Sequence, residues 1–433
     1  MYRSISHKLL NWKNQKKHKP LILRGARQVG KTYSIEEFAK EQFKHFIKID
    51  FEKEPSLSKI FEGDLSPQKI FDRILIEKGK DYSLETTLIF FDEIQTCPKA
   101  LMSLRYFYEE TPQSWVIATG SLLEFSLKEN SFPVGRVEYL WMYPLSFREF
   151  LNALGQKPLC SYLPNMSEEL PLDDFIHDKL LSYLKIYFIV GGMPEVVKTY
   201  AMEKKISSVK KIHHEICSSY IDDFAKYHNK IERSVIESIF QSYSMQIGKH
   251  LKYTNLIKDK RIEIIKKGCH ILEKALVVHK VTATSGELPL MSSSSDRIFK
   301  AVFLDIGLMQ YLNDTPYSSI LDTPDLNNIF KGALSEQFVG QQILESNPIH
   351  SRLYFWSRLK KNSQAEVDYL IHFNGKVCPI EIKSGKGGRL KSMHLLLSTF
   401  PQISHGIVLG THNISFLPKE RIKFMPLYTE LTI

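Results

Sequence analysis

The sequence predicts an α/β protein in three parts: a parallel-sheet domain over residues 1–155, a helical and winged-helix-like domain over 156–325, and a second α/β domain over 326–433. Three observations carry this. Short apolar segments at 20–24, 45–51, 87–92 and 115–119 alternate with helical stretches, the pattern of parallel strands joined by crossover helices. Residues 156–325 drop that alternation and keep apolar residues at helical spacing, until two β-rich pieces flank the serine run 292–295. From residue 326 a helical stretch opens a new series of strands, a helix and a strand.

The bulk properties agree with several domains. At roughly 100–200 residues per domain, 433 residues imply two to four. A hydrophobic content of 43% is ordinary for globular protein. No apolar run reaches the roughly 18 residues of a membrane span, and the best, 186–190, stops at Gly191-Gly192. Residues 1–17 are polar and basic and lack the apolar centre of a signal peptide, so a cytoplasmic protein with no membrane partner is expected. The cysteines Cys97, Cys160, Cys217, Cys269 and Cys378 are scattered, without zinc spacing, as reduced structural thiols are. The net charge of +10 suggests a polyanionic partner, most simply nucleic acid; the competing reading is a lysine-rich surface that only aids solubility.

The strongest local signal is Gly25-Ala26-Arg27-Gln28-Val29-Gly30-Lys31-Thr32, which fits G-x-x-x-x-G-K-[ST]. It follows the apolar segment Leu21-Ile22-Leu23 and opens a helical stretch, the context of an ATP-binding P-loop. Glycines let the backbone wrap phosphates, and amide groups at a helix N-terminus point inward at them. Lys31 is expected on the β- and γ-phosphates and the Thr32 hydroxyl on Mg²⁺. Leu88-Ile89-Phe90-Phe91 then reads as a central strand ending in Asp92-Glu93. There Asp92 holds Mg²⁺ and Glu93 polarises the attacking water; acids that merely cap the next turn are the structural alternative. The segment 115–119 ends in Gly120-Ser121, where a hydroxyl either senses the γ-phosphate or serves the turn. Arg136, in Gly135-Arg136, either steadies transition-state charge, in cis or across a subunit contact, or is a solvated loop residue.

"LILRGARQVGKT", "LIFFDEIQ", "ATGSLLEF", "FPVGRVEYLWMYPLSFREFL" and "YFIVGGMPEVV" resemble a widespread prokaryotic family that joins an AAA-type ATPase domain to a C-terminal domain of uncertain function. The resemblance covers nearly the whole chain. It implies an AAA+ or STAND-like nucleotide-binding core and leaves the biological role open. Gly191-Gly192-Met193-Pro194-Glu195 also matches a family motif and reads as a tight turn between helices.

In the middle region, helical stretches up to residue 276 precede a strand at 277–281 and its partner at 301–304. This suggests a winged-helix unit whose Lys258, Lys260, Arg261, Lys266 and Lys267 contact phosphates. The alternative is a winged helix serving as an ATPase lid or protein contact.

In the last region Glu336 lies on the opening helix, Asp368 on a strand, and Glu381 and Lys383 on the next. The order of elements resembles the PD-(D/E)xK nuclease fold. Period-2 alternation puts Glu381 and Lys383 on one face, with Ile380 and Ile382 on the other. Asp368 and Glu381 would then pair on Mg²⁺, Lys383 would steady charge, and Glu336 would assist. An amphipathic meander with its polar residues outward is the structural alternative. Three functions are therefore in competition: an ATPase acting on or regulated by DNA, a STAND-like switch that binds protein only, and a nuclease gated by ATP. A homo-oligomer or a protein partner is compatible with each.

Overall fold

The computed structural model describes residues 1–120, 135–224, 231–321, 332–346, 352–358, 365–373, 375–383 and 390–431. The chain forms two compact units, Tyr2–Tyr143 and Pro144–Ile433.

The first unit is built on a five-stranded sheet, β1 (Leu21–Arg24), β2 (His45–Asp50), β3 (Thr87–Asp92), β4 (Trp115–Thr119) and β5 (Glu138–Trp141), in the order β2-β3-β4-β1-β5. Every neighbouring pair runs parallel, as the alternation of strands and helices required. The four strands expected from the sequence are present. The fifth, β5, lies within the stretch read only as a motif. Helices α1 (Ile5–Lys13), α2 (Lys31–Gln42), α3 (Pro67–Lys78) and α4 (Pro98–Glu110) belong to the same unit. All six residues of β3 are buried, and Phe51, Phe61, Phe91 and Phe107 pack in one core cluster with Ile70 and Leu104. A central parallel strand covered on both faces demands such an unbroken apolar run.

The second unit pairs a helical layer with an eight-stranded mixed sheet. Its main helices are α5 (Phe147–Ala153), α6 (Asp174–Val190), α7 (Pro194–Glu203), α8 (Ile206–Phe224), α9 (Arg233–Met245), α10 (Ile262–Lys274), α11 (Ile306–Leu312), α12 (Ala333–Ser346) and α13 (Lys391–Thr399). The strands are β6 (Val278–Thr284), β7 (Ser294–Phe303), β8 (Leu353–Ser357), β9 (Glu366–Phe373), β10 (Lys376–Ile382), β11 (Gly406–Gly410), β12 (Ser415–Leu417) and β13 (Ile422–Pro426), ordered β12-β13-β11-β10-β9-β8-β6-β7.

The two β-rich pieces of the middle region do pair, antiparallel, with Val278 opposite Phe303. They do not stand free as a wing: the other edge of β6 runs parallel to β8, with Val281 opposite Leu353. A division at residue 325 therefore passes through one continuous sheet. The physical reason is that β6, with six of its seven residues buried, has no exposed face to offer solvent and is covered by a second neighbour.

Gly191-Gly192 forms the turn between α6 and α7. Gly191 has φ of 70°, and a Cβ there would lie 2.1 Å from Asp305 Oδ1. The Asp305 carboxylate accepts from the N–H groups of Gly192 at 2.6 Å, Gly307 at 2.9 Å and Leu308 at 3.1 Å, so it clasps this turn to the start of α11. All five cysteines are free and buried. Among the described residues no helix is long and apolar enough to cross a membrane.

Candidate active site

The segment from Gly25 to Gly30 leaves the carboxyl end of β1 and enters α2. Leu21, Ile22 and Leu23 are buried in the sheet, and Ala26 and Val29 anchor the loop in the core, while Gln28 stands exposed at its crest. Arg3 Nη1 donates to Val29 O at 3.0 Å and ties the loop from behind. Gly30 precedes the helix with φ of 94°, a left-handed conformation that glycine takes without steric cost. With no side-chain cap, the first turn of α2 presents backbone N–H groups that the helix itself does not use.

Lys31 folds back over the loop. Its Nζ donates to Gly25 O at 2.9 Å and Ala26 O at 2.8 Å. Burial lowers its pKa to about 8; Glu93 and Asp92 act against that fall, and Arg27 adds to it. The ammonium is thus desolvated at the place where a phosphate would meet it. The Thr32 hydroxyl donates to Asp92 Oδ2 at 3.0 Å. Asp92 also accepts the Thr119 hydroxyl on Oδ1 and pairs with Lys48 Nζ at 3.0 Å. Lys48 reaches Glu36 at 3.2 Å as well; burial opposes its charge, but Asp92 and Glu36 together raise its pKa. Glu93 follows at φ of 51°, and Gln95 Nε2 donates to its carboxylate at 2.5 Å. Arg27 lies 3.7 Å from Glu52.

Thr32 and Asp92, expected to share a metal, are brought together from α2 and β3. A hydroxyl and a carboxylate in contact at the head of a helix fit Mg²⁺, a hard cation that takes oxygen ligands. Lys48 and Thr119 were not found from sequence. The one available signal was a lysine within the apolar strand at 45–51, since a charge placed there must find a partner. Ser121 lies outside the described residues.

Arg136 is not brought to the loop of its own unit. It precedes β5, whose Glu138 pairs with Leu21 at the start of β1, so it sits at the amino end of the sheet, whereas the P-loop follows the carboxyl end. There Arg136 pairs with Glu109 at 2.8 Å.

Residues 17–151 match the family model described as an AAA domain. The first unit is an AAA-type ATPase domain. Residues 181–319 and 331–429 match two domains of unknown function, DUF8612 and DUF4143. Among solved structures, the Walker-type ATPase PABY2304 of Pyrococcus abyssi is similar at 15% identity and a TM-score of 0.44, over 71% of this chain and 94% of that one. The Aeropyrum pernix ORC1 protein, solved in complex with DNA, gives 11% identity and 0.29, over 73% and 92%. PCH-2 of C. elegans gives 14% and 0.26, over 47% and 60%. No curated protein matches the chain. The three structural likenesses are too distant to define the architecture further, and the assignment of the AAA domain rests on the family model and the loop.

Two further places in the second unit carry chemistry. The first gathers Glu336 from α12, Asp368 from β9 and Glu381 from β10, with Lys383 just beyond β10, and adds Lys300 from β7 and Glu366 from β9. Lys300 Nζ lies 2.8 Å from Glu336 Oε1 and 3.3 Å from Asp368 Oδ1 and also touches Glu366. Lys383 pairs with Glu381 Oε1 at 2.8 Å, and Asp368 Oδ2 accepts the Ile382 N–H at 2.8 Å. Burial raises the pKa of Glu336 and Glu381, Asp368 adds to the rise, and the lysines counter it. Burial works against the Lys300 charge, yet Asp368, Glu336 and Glu366 outweigh it and hold its pKa above the usual lysine range.

The second is a cleft of about 970 Å³ between α10 and the β6–β7 hairpin, lined by Tyr253, Lys266, Lys267, Lys280 and Arg297 with Glu273 among them. Lys266 Nζ and Lys280 Nζ lie 5.5 Å and 5.7 Å from the centre of the Tyr253 ring. Of the five basic residues expected to meet phosphates, Lys266 and Lys267 line this cleft. Lys258 and Arg261 are exposed elsewhere on the surface, and Lys260 pairs with Glu232 at 3.2 Å.

Proposed function

We propose that the chain binds and hydrolyses ATP with Mg²⁺ in its AAA domain and that DNA, held in the basic cleft of the second unit, regulates this cycle. The observation that carries the catalytic half is the desolvated Lys31 ammonium on the loop beside the Thr32–Asp92 contact. In this reading the backbone from Gly25 to Thr32 cradles the phosphates. Lys31 leaves its two carbonyl partners for the β- and γ-oxygens. Thr32 and Asp92 hold the metal, whose contribution is to neutralise charge on the phosphates. Glu93 orients and polarises the attacking water. Lys48 and Thr119 hold the Asp92 carboxylate in place. Arg136 has a role only across a subunit contact.

The DNA half is supported by the net charge of +10 and by the lysines around Tyr253, a ring on which a base can stack. The cleft lies against the β6–β7 hairpin of the mixed sheet, so its basic side chains, rather than a free wing, would meet the phosphates. The test is ATP turnover by the full chain, alone and with single- or double-stranded DNA, with Lys31→Ala as control. Turnover that DNA accelerates or represses, and that Lys31→Ala lacks, is the expected result. Turnover indifferent to DNA would favour a switch directed at protein.

A further inference from the structure

The carboxylates of the second unit surround a cation that belongs to the chain. Lys300 lies in the interior of β7, opposite Val281, and its side chain is only 2% exposed. An ammonium has three protons to donate, and three carboxylates stand around it: Glu336 at 2.8 Å, Asp368 at 3.3 Å, and Glu366 in contact. Its donors are therefore saturated. The fourth carboxylate, Glu381, is 5% exposed, and its Oε2 has no hydrogen-bond partner. Its other oxygen, Oε1, pairs with Lys383 at 2.8 Å.

These are the positions that a nuclease-like reading would give to a divalent metal, and they do not fit one with Lys300 in place. A metal on Asp368 and Glu381 would have to share a carboxylate that already meets the buried Lys300 ammonium at 3.3 Å on Oδ1 and the Ile382 N–H at 2.8 Å on Oδ2. Two cations cannot share that space at a cost the same carboxylates would offset. Among the described residues no group of three or more His, Cys, Asp or Glu side chains is arranged to hold a metal. We infer that Lys300 is the resident cation of this cluster, so that the second unit organises its nuclease-like carboxylates on a protein ammonium rather than a divalent metal. The cluster then does not support metal-dependent phosphodiester cleavage. The inference concerns the unit Pro144–Ile433 alone and stands or falls apart from the ATPase reading.

The experiment titrates the nucleotide-free full chain with Mn²⁺, read by the paramagnetic resonance of the free ion. Any ion held at Asp92 is common to all variants and cancels. Wild type and Glu381→Gln are expected to take up the same amount of Mn²⁺. Lys300→Met, with its like charge removed, is expected to gain an ion that Lys300→Met/Glu381→Gln loses, at an affinity roughly 10–100-fold above any wild-type uptake at this place. Mn²⁺ bound by wild type and lost in Glu381→Gln would overturn the inference. So would Lys300→Met that folds, by circular dichroism, and gains no ion. If Lys300→Met does not fold, the comparison of wild type with Glu381→Gln decides alone.

Discussion

Lys31 illustrates how a single side chain can serve chemistry at the expense of the fold. Its pKa of about 8 lies below the ordinary 10.5, so the folded state binds the proton less well than the unfolded chain does. That cost is present in full below pH 8 and relieved as pH rises from 8 to 10.5. The gap corresponds to about 3 kcal/mol at neutral pH. Lys31→Met should therefore raise the stability of the nucleotide-free AAA domain by up to about 3 kcal/mol while abolishing ATP binding. Thermal unfolding and nucleotide titration on the same samples check both halves, and a variant less stable than wild type at pH 7 would contradict the first. Glu93→Gln keeps the shape and loses the charge. It should bind ATP normally and turn it over roughly 10²–10⁴-fold more slowly, measured as single-turnover hydrolysis. The contrast between these two residues was legible in the sequence, because a P-loop and an acidic strand end are local patterns in a fixed chain order. Lys48 and Lys300 were not legible. Lys48 meets Asp92 through the register of β2 against β3, and Lys300 meets Asp368 from 68 positions away. Only the pairing of strands reveals such neighbours.

At the scale of elements, the clasp between α6, α8 and α11 governs the second unit. Gly191→Ala would put a Cβ against the Asp305 carboxylate at a left-handed backbone position and should cost about 3–5 kcal/mol. The measurement is the unfolding transition of the full chain; ATP binding by the AAA domain should persist in the variant. The same clasp holds two titrating groups of opposite sign. His213 on α8 is buried between Tyr317 and the Val190 carbonyl, and burial lowers its pKa to about 4. Its contribution is complete above pH 6.5 and lost as pH falls through 4. Burial raises Asp305 to about 6 against the pull of its N–H donors, so its contribution is complete below 3.8 and lost as pH rises through 6. Between pH 4 and 6 the two largely cancel. His213→Gln removes one side of the balance, so on acidification from pH 7 to 4.5 it should gain stability relative to wild type, by up to about 3 kcal/mol. A melting-temperature series for both proteins measures this, and parallel curves would refute it. The turn itself was anticipated from its glycines, but Asp305 and His213 were not, since helix packing rather than any motif brings them there.

The whole molecule divides its work between a parallel sheet that ends in phosphate-binding loops and a mixed sheet flanked by a basic cleft. If nucleic acid occupies that cleft, affinity should fall steeply with salt, because each neutralised phosphate releases counterions. Charge reversal at Lys266 and Lys267 should weaken binding to all sequences alike and reduce the salt slope by about 1 for each phosphate that is no longer neutralised. Filter binding or fluorescence anisotropy at several salt concentrations measures both. The division of the molecule was only partly legible. Apolar periodicity located most of the strands, but the partner of β6 lies in a segment that the sequence assigned to another domain, and no local pattern names a strand's distant neighbour.

That long sheet has a consequence for how the protein is made. Arg148 pairs with Glu430, and Asn165 bridges the same residue, so the earliest helix of the second unit is closed by some of its last residues. At roughly 5–20 residues per second, a ribosome takes roughly 15–60 s to travel from one to the other. Within that interval, from the end of β7 at Phe303 to the start of β8 at Leu353, roughly 3–10 s at the same rate, β6 and β7 have been made while β8 has not, and one edge of β6 is open to any strand in the cell. The AAA domain, complete by residue 143, has no such wait. A nascent chain of this protein is therefore a finished ATPase domain trailing an unfinished sheet, and it is during synthesis, more than after it, that the molecule should lean on chaperones.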